Sequence, residues 1–129
     1  MKPKLVLPLA ALVALGGIAA PSSAGQTRAN TKVTIKVEGR DFSGTVKSPR
    51  PGRCADGRRI VLLRQTSGQQ RPATDPVIAN DTASLNGNRY EWNTGNTGVN
   101  GRFYARARRT NQCKADSSRT LRTENALRS

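Results

Sequence analysis

Hydrophobic and polar positions alternate along most of this chain in short runs that stop at turn residues. Val33, Ile35 and Val37 alternate with Thr34 and Lys36, the period of two that belongs to a half-buried strand. Glu38-Gly39-Arg40-Asp41 supplies a turn, after which Phe42, Gly44 and Val46 face one way and Ser43, Thr45 and Lys47 the other. Pro49-Arg50-Pro51-Gly52 ends that strand, because proline cannot donate to a ladder. Ile60-Val61-Leu62-Leu63 is apolar on both faces, which predicts a central strand. A long polar connection follows at 65–76, then a strand over 77–82. Asn86-Gly87 is a tight-turn signal, since both residues tolerate positive φ. Tyr90 and Trp92 share the next face, and a single tryptophan at this spacing is expected in the core. A loop is expected at 93–98, a sixth strand over 103–107 and a seventh over 120–123. No segment keeps a helical period. Seven short strands at this spacing predict an all-β antiparallel sandwich.

The start of the chain has another pattern. Lys2 and Lys4 precede an apolar run from Leu5 to Ala20, which leads into Pro21-Ser22-Ser23-Ala24. A basic region, a short apolar region and small residues at −3 and −1 predict a signal peptide over 1–24, cleaved after Ala24. The run is broken by Pro8 and Gly16-Gly17 and falls short of the roughly 20 apolar residues that a membrane-spanning helix needs, so no transmembrane anchor is expected. The expected location is therefore secreted, either periplasmic or extracellular. The expected organisation is a disordered mature N-terminus at 25–30, one sandwich domain over 31–124 and a tail at 125–129.

Export changes the reading of the two cysteines. In an oxidising compartment an even count favours a bridge between Cys54 and Cys113. Closing a loop of about sixty residues stabilises a fold by about 4 kcal/mol in the chain-entropy model. Cys54 lies just before the apolar central strand and Cys113 just after the Phe103 strand. If those strands are antiparallel neighbours, the bridge pins one end of the sandwich.

Charge narrows the partners. Without Lys2 and Lys4 the chain keeps 20 of its 22 Lys and Arg against 8 Asp and Glu, a formal charge near +12. Such a field favours anionic partners, although an arginine-rich composition that merely keeps a small exported protein soluble leaves the same signature. Alternation sends Arg102, Tyr104, Arg106 and Arg108 to the outer face of the sixth strand and Phe103, Ala105 and Ala107 to the core. Three guanidiniums with an aromatic among them can grip a polyanion by forked hydrogen bonds and stacking. The same stripe also suits a plain solvated sheet face. Arg58, Arg59 and Arg64 extend it if the central strand is adjacent.

Catalytic chemistry finds little support. The chain has no histidine, which removes the commonest general base, the usual triads and most zinc sites. Glu38 and Asp41 are close in sequence but flank a turn, where acids are solvated. No phosphate-cradling glycine loop and no calcium-loop spacing of acids is present. No enzyme activity, cofactor or metal is expected.

Gly44-Thr45-Val46, the cysteine ahead of the apolar 60–63 strand, Asp81-Thr82 leading to Asn86-Gly87 and Tyr90, and Cys113 after the Phe103 strand together resemble small secreted prealbumin-like or carboxypeptidase-regulatory-like proteins, including transthyretin-like extracellular domains. The group's Thr-Asp-x-x-Gly-x-aromatic hairpin is longer here, over 82–90, and lacks the acid after threonine. The resemblance implies an immunoglobulin-like or prealbumin-like sandwich, and binding, adhesive or accessory roles rather than one activity. The leading expectation is a non-enzymatic module contacting anionic polymers or another cell-envelope component through its basic face. The alternative is an accessory or inhibitor module that binds a protein partner through loops 65–76 and 93–101. No specific nucleic-acid recognition is expected, since a basic surface alone does not choose among polyanions.

Overall fold

The computed structural model describes residues 27–123, so the leader, residues 25–26 and the tail lie outside the described residues. Among the described residues ten strand segments make two antiparallel sheets, with one helical turn between strands. In order they are β1 (Lys32–Val33), β2 (Lys36–Glu38), β3 (Asp41–Lys47), α1 (Pro51–Cys54), β4 (Arg59–Arg64), β5 (Val77–Thr82), β6 (Ser84–Asn86), β7 (Arg89–Asn96), β8 (Gly101–Ala107), β9 (Asp116–Ser117) and β10 (Leu121–Thr123). The first sheet runs β1-β3-β7-β6, with β2 also on β3; the second runs β9-β8-β4-β5, with β10 also on β8. The two form a sandwich with one disulfide, as the alternation predicts.

The core lies between the sheets. Phe42, Val46, Trp92, Val33 and Ile35 meet Ile60, Leu62, Phe103, Ala105 and Ala107, and the Phe42 and Phe103 rings pack with centroids 5.0 Å apart. The inward set of β3 is the one alternation assigns, and Trp92 is buried as expected.

The single strand expected over 33–37 is instead two, β1 and β2. Between them Thr34 turns its carbonyl over Gly44 to accept the Trp92 indole N–H at 3.1 Å, which buries the tryptophan with its polar atom satisfied. A Cβ at Gly44 would stand 1.9 Å from that carbonyl oxygen, so only glycine fits there. Further pieces escaped the pattern because they are too short to show a period: β6, β9 and α1, which has proline in its first turn.

Two expected loose segments are tied down. Within 25–30, Ala29 is buried rather than disordered: its N–H donates to Gln112 O at 2.9 Å and its carbonyl accepts from Lys114 at 2.8 Å. The expected loop at 93–101 is half strand, since β7 continues to Asn96 and pairs Gly95 with Phe42 and Asn96 with Asp41. A bulge opposite Phe42 and Ser43 absorbs the extra residue, and the Asn93 side chain accepts the Gly95 N–H.

Candidate anion-binding surface

β4 and β8 pair antiparallel from Ile60 opposite Ala107 to Arg64 opposite Phe103. The start of β4 therefore meets the end of β8, and Cys54 and Cys113 are bridged there with Cα atoms 5.6 Å apart. This is the end-pinning arrangement the cysteine positions suggest. Alternation also places the side chains of Arg102, Tyr104, Arg106 and Arg108 on the outer face of the second sheet, opposite the inward Phe103, Ala105 and Ala107.

The stripe is not an open surface, however. Tyr104 is fully buried and packs with Val61 and Leu63, the outward residues of β4, in a second small apolar cluster. Residues 65–76 reach this cluster at Tyr104. The loop is held by Asp75, whose carboxylate accepts hydrogen bonds from the Tyr104 hydroxyl at 2.5 Å, the Arg71 N–H at 2.7 Å and the Thr66 hydroxyl at 3.1 Å. Gln70 donates to Ser118 O and the Thr120 hydroxyl, both at 2.9 Å, and the Thr120 hydroxyl donates to Gln65 at 2.6 Å. Burial alone would raise the Asp75 pKa; the bonds from Tyr104, Arg71 and Thr66 outweigh it, and the carboxyl sits below its usual range. Burial and the facing carboxylate push the Tyr104 phenol upward, so it stays a neutral donor.

Tyr104 is thus a fastener for the loop and has no face free for stacking on a ligand, a correction to the expected site. Arg102 and Arg106 are half-buried, and Arg106 is engaged with Ser117 Oγ at 2.7 Å. The docked loop keeps seven of its twelve residues exposed, with Gln65 and Asp75 buried.

Arg58 is a second correction. It is buried, and its guanidinium donates to the Thr31 hydroxyl at 3.0 Å and to the carbonyls of Cys54, Arg108 and Lys114 at 2.9, 2.8 and 2.9 Å. Desolvation lowers its pKa, but an arginine begins so high that it remains cationic at neutral pH. It ties α1, the end of β8 and the segment after Cys113 into one corner, and its guanidinium is engaged by these four acceptors rather than displayed on the outer stripe.

Above that corner the structure assembles a different basic site. Arg53 from α1, Arg59 from the start of β4, and Arg108 and Arg109 beyond β8 are all exposed and line one pocket of about 370 Å³. Asp56 is the one acid among its lining residues. None of the four arginines takes part in an ion pair among the described residues, where the pair formed is Arg89 with Glu91 at 3.2 Å. Four unneutralised guanidiniums around one concavity can hold a phosphate, sulfate or carboxylate group by forked bonds. Of the expected stripe Arg108 belongs to this site, and of its expected extension Arg59 does, with the buried Arg58 at the pocket wall. Arg53 was missed because it is remote in sequence, yet the cysteine pairing carries the signal: Arg53 precedes Cys54, so the bridge draws it to the far end of β8.

The outer face of the first sheet is open. A groove of about 660 Å³ crosses it, lined by Ser43, Thr45, Asp81, Asn86, Glu91 and Asn93 among others. Two of its three acids are engaged, Glu91 with Asn86 at 2.8 Å and with Arg89, and Asp81 with the Asn93 N–H at 2.7 Å; the third, Glu38, stands at the end of β2. No protein-family model matches the chain, and no curated protein matches it either. Among the described residues no helix is long and apolar enough to cross a membrane, and the disulfide is compatible with an extracellular location.

Proposed function

We propose that the mature chain is an exported, non-enzymatic sandwich of the transthyretin-like kind that holds anionic extracellular or cell-surface polymers in the pocket of Arg53, Arg59, Arg108 and Arg109. The observation that carries this reading is the convergence of four exposed, unpaired arginines on one concavity at the disulfide end. The formal charge of the chain adds a long-range field that draws a polyanion toward it. The absence of histidine from the sequence, and the engagement of the groove acids Asp81 and Glu91 in hydrogen bonds, support a binding role over catalysis. A repeating polymer suits the site because successive anionic groups can occupy the pocket and then the neighbouring exposed bases.

The test is retention of mature, oxidised protein on immobilised polyanions and host cell walls across a salt series. Arg53→Glu with Arg108→Glu and Arg109→Glu should abolish retention at physiological salt, where screening acts within about 8 Å. Arg102→Gln should leave it nearly unchanged. Equal retention of the wild type and the triple variant would overturn the pocket. Weak binding to every matrix, lost together by physiological salt, would reduce the charge to background.

A further inference from the structure

The longest interval of the sequence without a lysine or arginine after Arg28 is the seventeen residues 72–88, between Arg71 and Arg89. In the fold this interval contains β5 and β6, which are the edge strands of the two sheets on the same side of the sandwich. The opposite edges carry Lys32, Lys36 and Arg122 on β1, β2 and β10. Proteins commonly protect an edge strand with such charges, which repel an incoming strand. The base-free edge also holds the two large hydrophobic residues that are exposed among the described residues, Val77 at 45% on β5 and Leu85 at 56% on β6.

We infer that the β5–β6 edge is the surface through which two copies of this chain associate, by antiparallel pairing of β5 with its own copy. β5 pairs with β4 on one side only, and its other side offers unpaired backbone donors and acceptors. An antiparallel strand is self-complementary across a two-fold axis, which is what a closed homodimer requires. The bulge at Ile78 leaves residues 79–82 as the regular ladder. An axis through Asn80 sets Asp81 opposite Ala79 and Ile78 opposite Thr82, so no like charges face each other. Two molecules this basic repel one another, and these two edge strands carry no base to add to that repulsion. A partner of opposite charge would instead be expected at the arginine pocket, which is why the occupant here is a second copy.

The salt dependence separates this association from polymer binding, because its sign is opposite. Screening removes repulsion between copies, so dimerisation should strengthen as salt rises, whereas polyanion binding weakens. Sedimentation equilibrium of the mature, oxidised protein, from micromolar to millimolar and from low to high salt, should show a monomer–dimer equilibrium favoured by salt. Val77→Lys with Leu85→Lys should shift the dissociation constant at least tenfold toward monomer with an unchanged circular dichroism spectrum. Hydrogen exchange should slow in residues 79–82 as concentration rises. A wild type that stays monomeric throughout, a dimer that the double variant leaves intact, or a dimer that dissociates with added salt would each overturn the inference. The triple arginine variant of the pocket should still dimerise, so failure of one proposal leaves the other standing.

Discussion

The outer faces of the two sheets obey the same alternation but meet different surroundings. On the first sheet Ser43, Thr45 and Asn93 project into an open groove, and the face can be polar because water satisfies it. On the second sheet Val61, Leu63 and Tyr104 occupy equivalent outward positions and are buried, with Tyr104 fastened to Asp75 of the 65–76 loop and Val61 at the floor of the arginine pocket. The difference lies in a polar loop that brings one carboxylate, Asp75, down to one phenol. An outward position on a strand therefore fixes direction alone, and exposure depends on what else is laid across the sheet. The middle of the expected stripe is closed by Asp75 on Tyr104, and four of the exposed arginines converge on one pocket beside the disulfide instead.

The contrast can be broken at several points. The largest effect should come from the bridge that holds the roofed sheet at its pinned end. Cys54→Ser with Cys113→Ser should cost about 4 kcal/mol, read as a fall in the denaturant midpoint; equal midpoints with and without reductant would deny the bridge a role. Next, Leu63→Ala should cost about 3 kcal/mol, as for other buried leucines, while Ser43→Ala on the open face should stay within about 0.5 kcal/mol. Similar losses at both positions would mean that the loop does not cover its face in solution.

A smaller and more specific effect concerns the two faces' carboxylates. Asp75→Asn should cost about 2 kcal/mol, whereas Glu91→Gln should cost at most about 1. Because the folded pKa of Asp75 lies below its unfolded value, its contribution is fully present above the unfolded pKa of about 4 and is lost as pH falls through the depressed folded value. Thermal melts from neutral pH into that acid range should show the wild type losing more stability than Asp75→Asn; parallel curves would remove Asp75 as the fastener. The smallest change, Tyr104→Phe, should cost about 1 kcal/mol and should weaken part of the same acid sensitivity.

Much of the scaffold was legible. The period of two located β3, β4, β5 and β8 to within a residue or two, and the two-sided apolar run at 60–63 announced a strand covered on both faces. What covers it was not legible, because residues 65–76 are polar and their hold depends on Asp75 meeting Tyr104, 29 residues away. Arg58 and Arg59 are adjacent and chemically identical, so composition could not separate a buried bracket from a free cation. Only the position of Arg58 ahead of β4, facing three carbonyls of other segments, does that. Ala29 was equally silent, since a small residue in a polar run carries no pattern of its own.

The bridge between Cys54 and Cys113 also divides the chain mechanically. It closes a covalent ring over residues 54–113, which includes the two long strands of the second sheet, β4 and β8, while β1 to β3 lie outside it. A pull on the two ends of the described chain can then draw out only residues 27–53 and 114–123, a contour of roughly 130 Å at about 3.5 Å per residue. Arg59, Arg108 and Arg109 sit within the ring, and Arg53 adjoins it. Three of the four arginines proposed to hold a polymer thus stand on the segment that tension cannot unravel.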